Sequence, residues 1–173
     1  MAQDISARYP GRVASLVLAS SAAKANALNV YSLKASAYLY QNFGPKAASA
    51  FGPIISFTHD YFTEHLPELI KNLEKSPEER MPNHAFEGHG RAIVEHDTTS
   101  VLHQIKAPTL VLMGDQEWLN PRSDADALLQ GILNSRLSVL EGGGHGFIWE
   151  IPDAFNQAVL DFLAEHTSLF GSR

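Results

Sequence analysis

The chain has 173 residues, 45% of them apolar and 18% charged, with a formal charge of −6. That length can bury roughly 70% of the unfolded chain's surface, so one globular domain, or one with an insertion, is expected and a disordered chain is excluded. The negative balance without a basic run argues against nucleic acid, and the absence of cysteine excludes disulfides and thiol chemistry. Met1 to Arg8 has no apolar signal core and no segment is apolar enough to span a bilayer, so a soluble cytoplasmic protein without a membrane partner is expected.

Met1 to Tyr9 reads as a helix with Ala2, Ile5 and Tyr9 on one side, although no N-cap precedes it; Pro10 and Gly11 end it. Val13 to Ala19 is nearly continuous and apolar, which suits a strand covered on both faces of a parallel sheet. Residues from about 24 to 100 read as helices: Leu28 to Phe43, ended by Gly44-Pro45, a weaker one from Ala47 to Phe57, and Tyr61 to Lys75. Ser76-Pro77-Glu78-Glu79 has the look of a cap, an N1 proline and an acidic first turn, and Gly88 to Glu95 closes the stretch as a short helix. No strand signal interrupts it, so it is expected to be a helical insertion in an α/β domain.

Ala107 to Gly114 returns to a buried strand, and Asp115 to Asn120 is its C-terminal loop. Pro121 to Leu133 is a helix with Ala125, Leu128, Leu129 and Ile132 on its apolar face. Arg136 to Leu140 is a third strand, and Pro152 to His166 a closing helix with Phe155, Val159, Phe162 and Leu163 inward. The tail Gly171-Ser172-Arg173 is expected to be loose. Alternation of strand and helix implies a parallel sheet. Three strands leave edges unpaired that ought to be interior, so either a partner chain supplies the rest or an N-terminal half is missing.

Ligands of parallel α/β sheets sit at the C-terminal ends of strands. Two such ends carry polar side chains: Asp115, Gln116 and Glu117 after the second strand, and His145 after the third. His145 stands in Leu140-Glu141-Gly142-Gly143-Gly144-His145-Gly146-Phe147, where three glycines are expected to allow unusual backbone conformations and to let the imidazole reach a cleft as a general base. A carboxylate on one ring nitrogen would fix the tautomer and stabilise the imidazolium. Trp118 and Leu119 either line a pocket beside the acid or pack under the helical insertion, and Phe147 and Ile148 are in the same position beside His145. Ser20 and Ser21 end the first strand but lack the flanking glycines of a sharp elbow; a strand-to-insertion junction explains them. His84, His89 and Glu95-His96-Asp97 cluster without a recognisable metal spacing, so no metal and no cofactor is expected.

The run Gln3-x5-Tyr9-Pro10-x-Arg12-Val13-x2-Leu16-Val17-Leu18 resembles the helix and strand that follow the nucleophile elbow of α/β-hydrolases. Ile105-x-Ala107-Pro108-Thr109-Leu110-Val111-Leu112-x-Gly114 resembles the strand before their catalytic acid, and Gly143-Gly144-His145-Gly146-Phe147-x3-Glu150-x-Pro152 their histidine loop. The nearest look is to the branch holding 3-oxoadipate enol-lactonases, cofactor-free haloperoxidases and carboxylesterases. The resemblance implies a partial α/β-hydrolase fold: three parallel strands with flanking helices and an inserted helical cap. Residues 1–22 and 101–173 would be core segments and residues 23–100 the cap. The family pattern Gly-x-x-Asp-x-x-x-Pro reads here as Gly114-Asp115-Gln116-Glu117-Trp118-Leu119-Asn120-Pro121, which puts the catalytic acid on Glu117, with Asp115 as the fallback.

The family's Gly-x-Ser-x-Gly elbow occurs nowhere between Met1 and Arg173. The resemblance therefore implies the C-terminal part of an enzyme acting on a small ester or lactone, or on a related perhydrolysis substrate, whose nucleophile lies outside this chain. On this reading the chain alone is inactive. The alternative expectation is an inactive module that self-associates through an unpaired strand edge or completes its sheet with a second chain.

Overall fold

Thr109–Gly114 (β2) is the centre of the sheet, and all six of its residues are buried. Leu16–Ala19 (β1) pairs with it in parallel on one side, Leu16 opposite Thr109, and Ser135–Leu140 (β3) on the other, Thr109 opposite Ser135. The computed structural model describes residues 1–75 and 82–166; the expected cap at Ser76-Pro77-Glu78-Glu79 and the tail at Gly171-Ser172-Arg173 lie outside them. By contacts the chain divides into two units, one made of Met1–Lys24 with the chain from Asp97 onward, the other Ala25–His96.

In the first unit the strands alternate between two apolar clusters, as the pleat requires. Leu16, Leu18, Val111 and Met113 face one cluster with Ala125, Leu128 and Ile132 from Arg122–Gly131 (α6) and its C-cap. Leu110, Leu112 and Leu140 face the other with Phe147 and Phe162. The second cluster is covered by two helices, Phe147–Glu150 (α7) and Pro152–His166 (α8). Both faces of the sheet are thus covered by helices, which is why these strands read as apolar runs. β1 is shorter than the expected Val13–Ala19 at its start only, because residues 13–15 lie ahead of the first ladder pair, Leu16 opposite Thr109.

The first helix, Ala2–Arg8 (α1), does not bury the side that carries Ile5. Ile5 and Tyr9 are 51% and 60% exposed, whereas Gln3, Ser6 and Ala7 are buried. The buried side is polar because it is bonded rather than greasy. Gln3 donates to Ser21 Oγ and to the Ala22 carbonyl, both at 3.1 Å, and accepts from the Thr98 hydroxyl. The Thr98 N–H donates to the Ala23 carbonyl at 2.8 Å. A buried amide needs such partners, so this network holds α1 to the chain on both sides of the insertion. Just beyond it Lys24 and Asp97 form an antiparallel bridge and a 2.9 Å ion pair. The Thr99 hydroxyl and the Lys24 ammonium bring the Asp97 carboxyl down to about 2.

Among the described residues the second unit holds four helices: Ala27–Phe43 (α2), Pro45–Ser56 (α3), His59–Glu74 (α4) and Asn83–Val94 (α5). Asn26 caps α2 by accepting from the Asn29 N–H at 2.9 Å, and Thr58 caps α4 by accepting from Tyr61. Gly44, at φ +89°, ends α2, and Pro45 opens α3 two residues earlier than expected. Tyr40 of α2 stacks on Phe86 of α5 with ring centroids 4.1 Å apart. Among the described residues no helix is long and apolar enough to cross a membrane.

Candidate active site

β2 and β3 are parallel neighbours, so their C-terminal loops leave the sheet on the same edge. The loop after β2 carries Glu117 and the loop after β3 carries His145. His145 Nδ1 lies 2.9 Å from Glu117 Oε2. The Glu117 side chain has no exposed surface, while that of His145 is 27% exposed. Against an ionised carboxylate Nδ1 must carry the proton, so Nε2 remains as the basic nitrogen.

Glu117 is fixed from both ends. Its Oε1 accepts the N–H groups of Leu119 and Asn120 at 2.9 and 3.1 Å. Burial pushes its carboxyl pKa up. The hydrogen bond and charge of His145, the Asn120 N–H and the Ser20 hydroxyl outweigh that and hold it below the usual glutamate value. With the folded value below the unfolded one, the resulting stability is present above about pH 4.3, the ordinary glutamate value, and is lost as pH falls through the folded value. Urea midpoints of wild type and Glu117→Gln should therefore differ at pH 7 and converge as pH drops below that point; a gap that stays constant down to acid pH would contradict this.

The two loops are stitched together. Gln116 donates its N–H to the Gly143 carbonyl at 2.9 Å, and Gly142 donates to Asp115 Oδ1 at 2.8 Å. Asp115 therefore binds the backbone of the histidine loop, and it is Glu117 whose carboxylate meets the imidazole. Glu150 of α7 accepts the Gly144 N–H at 2.7 Å. Of the three glycines only Gly142 takes a positive φ, +81°; Gly143 is required for space, since a Cβ there would lie 2.7 Å from Phe147 Cβ.

The neighbours singled out from the sequence separate. Trp118 is 48% and Ile148 37% exposed, while Leu119 is buried beside Glu117. Phe147 is fully buried in the cluster beneath the sheet, against Phe155, and is a core residue rather than a wall of a cleft. The sequence reading passed over Asn120 and Glu150 as loop-holding groups. Glu150 had a signal, its place in the histidine-loop pattern; Asn120 had none beyond standing before Pro121.

The sequence profile of the alpha/beta hydrolase fold family matches residues 2–152. The chain belongs to this family. A 101-residue stretch of this α/β-hydrolase is 36% identical to a 2-hydroxy-6-oxononadienedioate/2-hydroxy-6-oxononatrienedioate hydrolase of Escherichia coli, covering 58% of this chain and 30% of that protein. An alpha/beta hydrolase enzyme from a Medee basin deep-sea metagenome superposes with a TM-score of 0.86 at 21% identity, over 94% of this chain and 60% of that one. The enol-lactonase of Burkholderia xenovorans superposes with a TM-score of 0.80 at 23% identity, over 94% of this chain and 61% of that one. The α/β-hydrolase described here therefore spans less than two thirds of the relatives it matches.

Proposed function

We propose that this chain carries the acid and the base of a hydrolytic site for a small ester or lactone. A nucleophile on a Gly-x-Ser-x-Gly elbow, from polypeptide outside the 173 residues, would attack the carbonyl. His145 would take its proton through Nε2 and return it to the leaving oxygen, and Glu117 would orient the ring and balance its charge. Backbone N–H groups beside the elbow would hold the oxyanion. Trp118, Leu119 and Ile148 are the proposed pocket residues on this side, and the helical insertion is the proposed cap that selects the acyl and alcohol parts.

The observation that carries this reading is the 2.9 Å bond between a side chain with no exposed surface, Glu117, and the part-exposed His145. An acid on the fully buried side and a base with an open side is the arrangement general-base catalysis needs. The likeness to the Escherichia coli hydrolase favours a second reading, water added across the carbon–carbon bond beside a ketone, since the named compounds carry oxo, hydroxyl and carboxylate groups. The same pair would serve both.

The test is to read the genomic DNA in frame upstream of Met1 and to assay the whole reading frame. An elbow upstream, with turnover of 4-nitrophenyl acetate by the whole frame and none by the 173-residue chain, supports the proposal. Turnover by this chain alone that survives His145→Ala overturns it, and a defined oligomer with no turnover in either form favours the inactive, self-associating module.

A further inference from the structure

Ser20, the residue after β1, has φ at +42°, a region that residues other than glycine rarely occupy; among the described residues it is the one non-glycine with a positive φ. Such a conformation persists only where the surroundings over-determine it. Here they do. The Ser20 N–H donates to the Leu112 carbonyl at 2.9 Å, continuing the β1–β2 ladder. The Ser20 carbonyl accepts from Asn120 Nδ2 at 2.7 Å. The hydroxyl donates to the main-chain carbonyl of His145 at 3.2 Å and lies within reach of the Glu117 carboxylate. Asn120, the residue gripping the Ser20 carbonyl, also gives its own N–H to Glu117 Oε1.

One residue just past the neighbouring strand thus bonds both the loop that bears the acid and the loop that bears the histidine. We propose that Ser20 is a positioning residue, a strained strand end whose carbonyl and hydroxyl lock the Glu117 loop to the His145 loop so that carboxylate and imidazole meet before a substrate arrives. The proposal rests on the reading of Glu117 and His145 as acid and base. Ser20 is not itself the attacking group in this arrangement. A nucleophilic hydroxyl has to face Nε2 of the base, whereas this one bonds the His145 backbone. The bent strand end is what turns the hydroxyl there: an extended residue would continue the ladder and alternate its side chain across the sheet. Asn120, held through the Ser20 carbonyl, gives its N–H to Glu117 Oε1 and so favours the ionised carboxylate, the form that can accept the Nδ1 proton.

Two variants separate the hydroxyl from the backbone. Ser20→Ala removes the hydroxyl and keeps the strained φ; Ser20→Gly removes the hydroxyl and relieves the strain. The first readout is NMR of the isotopically labelled 173-residue chain, following the His145 Nδ1–H proton and the titration of Glu117 Cδ. Both variants should move the Glu117 midpoint upward and broaden the Nδ1–H signal, and Ser20→Gly should have a higher urea midpoint than Ser20→Ala. Unchanged signal and titration in both variants overturns the lock while leaving the acid–base pair standing. A wild-type chain with no protected Nδ1–H signal overturns the pair and the lock together. The second readout is hydrolysis by the whole reading frame, where Ser20→Gly should lower kcat by up to about 10²-fold with KM held. A rise in KM at unchanged kcat would make Ser20 a substrate contact and overturn the positioning role. Absent wild-type hydrolysis alongside variant-sensitive NMR signals overturns the hydrolytic reading and supports the lock.

Discussion

In a reading frame that supplies the nucleophile, Glu117→Gln lowers kcat by about 10⁴-fold, the scale set by replacing the acid of a serine–histidine–aspartate site with its amide. The neutral amide can offer its N–H to Nδ1 and so favours the wrong imidazole tautomer, and it gives no charge to balance the imidazolium. His145→Ala falls to a comparable floor, because members of such a unit do not contribute additively. Asp115→Asn should cost about tenfold or less. Its carboxylate receives the exposed Gly142 N–H at 2.8 Å, a net contribution of about 1 kcal/mol, and an amide oxygen can replace it. Steady-state hydrolysis of one aryl ester by the three variants checks this. If Asp115→Asn proved as damaging as Glu117→Gln, the acid would have been assigned to the wrong carboxylate.

Gly114→Ala is expected to be the most disruptive small change in the first unit. A Cβ on this last residue of β2 would stand 1.9 Å from the Gly143 oxygen, 2.4 Å from the Gly143 carbon and 2.8 Å from the Gly144 oxygen. All three are backbone atoms, so no side chain can rotate away. Either the strand end or the histidine loop must shift. The expected loss is about 3 kcal/mol, the upper part of the overpacking range. A displacement of His145 by about 1 Å would itself lower turnover about 10²-fold. Gly90→Ala in α5 is the matched control, since nothing lies within 4 Å of its added Cβ. It should raise stability by up to about 1 kcal/mol through helix propensity. Urea unfolding of both variants reads the contrast in sign; a Gly114→Ala chain as stable as wild type would mean the two loops are not held in this close approach.

The sheet was legible where burial is two-sided. β2 reads as an apolar run because both of its faces are covered, and α8 was placed at its observed bounds because Pro152 opens it and its apolar residues keep helical spacing. Periodicity failed at α1, where Gln3 and Ser6 are buried with Ala7: Gln3 ties the helix down by hydrogen bonds to Ser21 and Ala22, and a hydrophobic pattern is silent about that. It failed again at α7, four residues too short to show a period. Glu117 was legible only from its spacing between Gly114 and Pro121; residue type alone left Asp115 equally eligible. The conformation of Ser20 left no trace in the sequence, because serine is not a residue that announces a positive φ and its hold comes from Asn120, one hundred positions away.

The Lys24–Asp97 bridge, with the Ala25 N–H on the His96 carbonyl at 3.4 Å, brings the two ends of the insertion side by side. To the sheet, everything between those ends is a closed loop, and loop-closure entropy grows only with the logarithm of length. A change in the length of this segment therefore costs the sheet little in closure entropy. Such a neck lets the chain between Lys24 and Asp97 grow or shrink while its two ends stay paired.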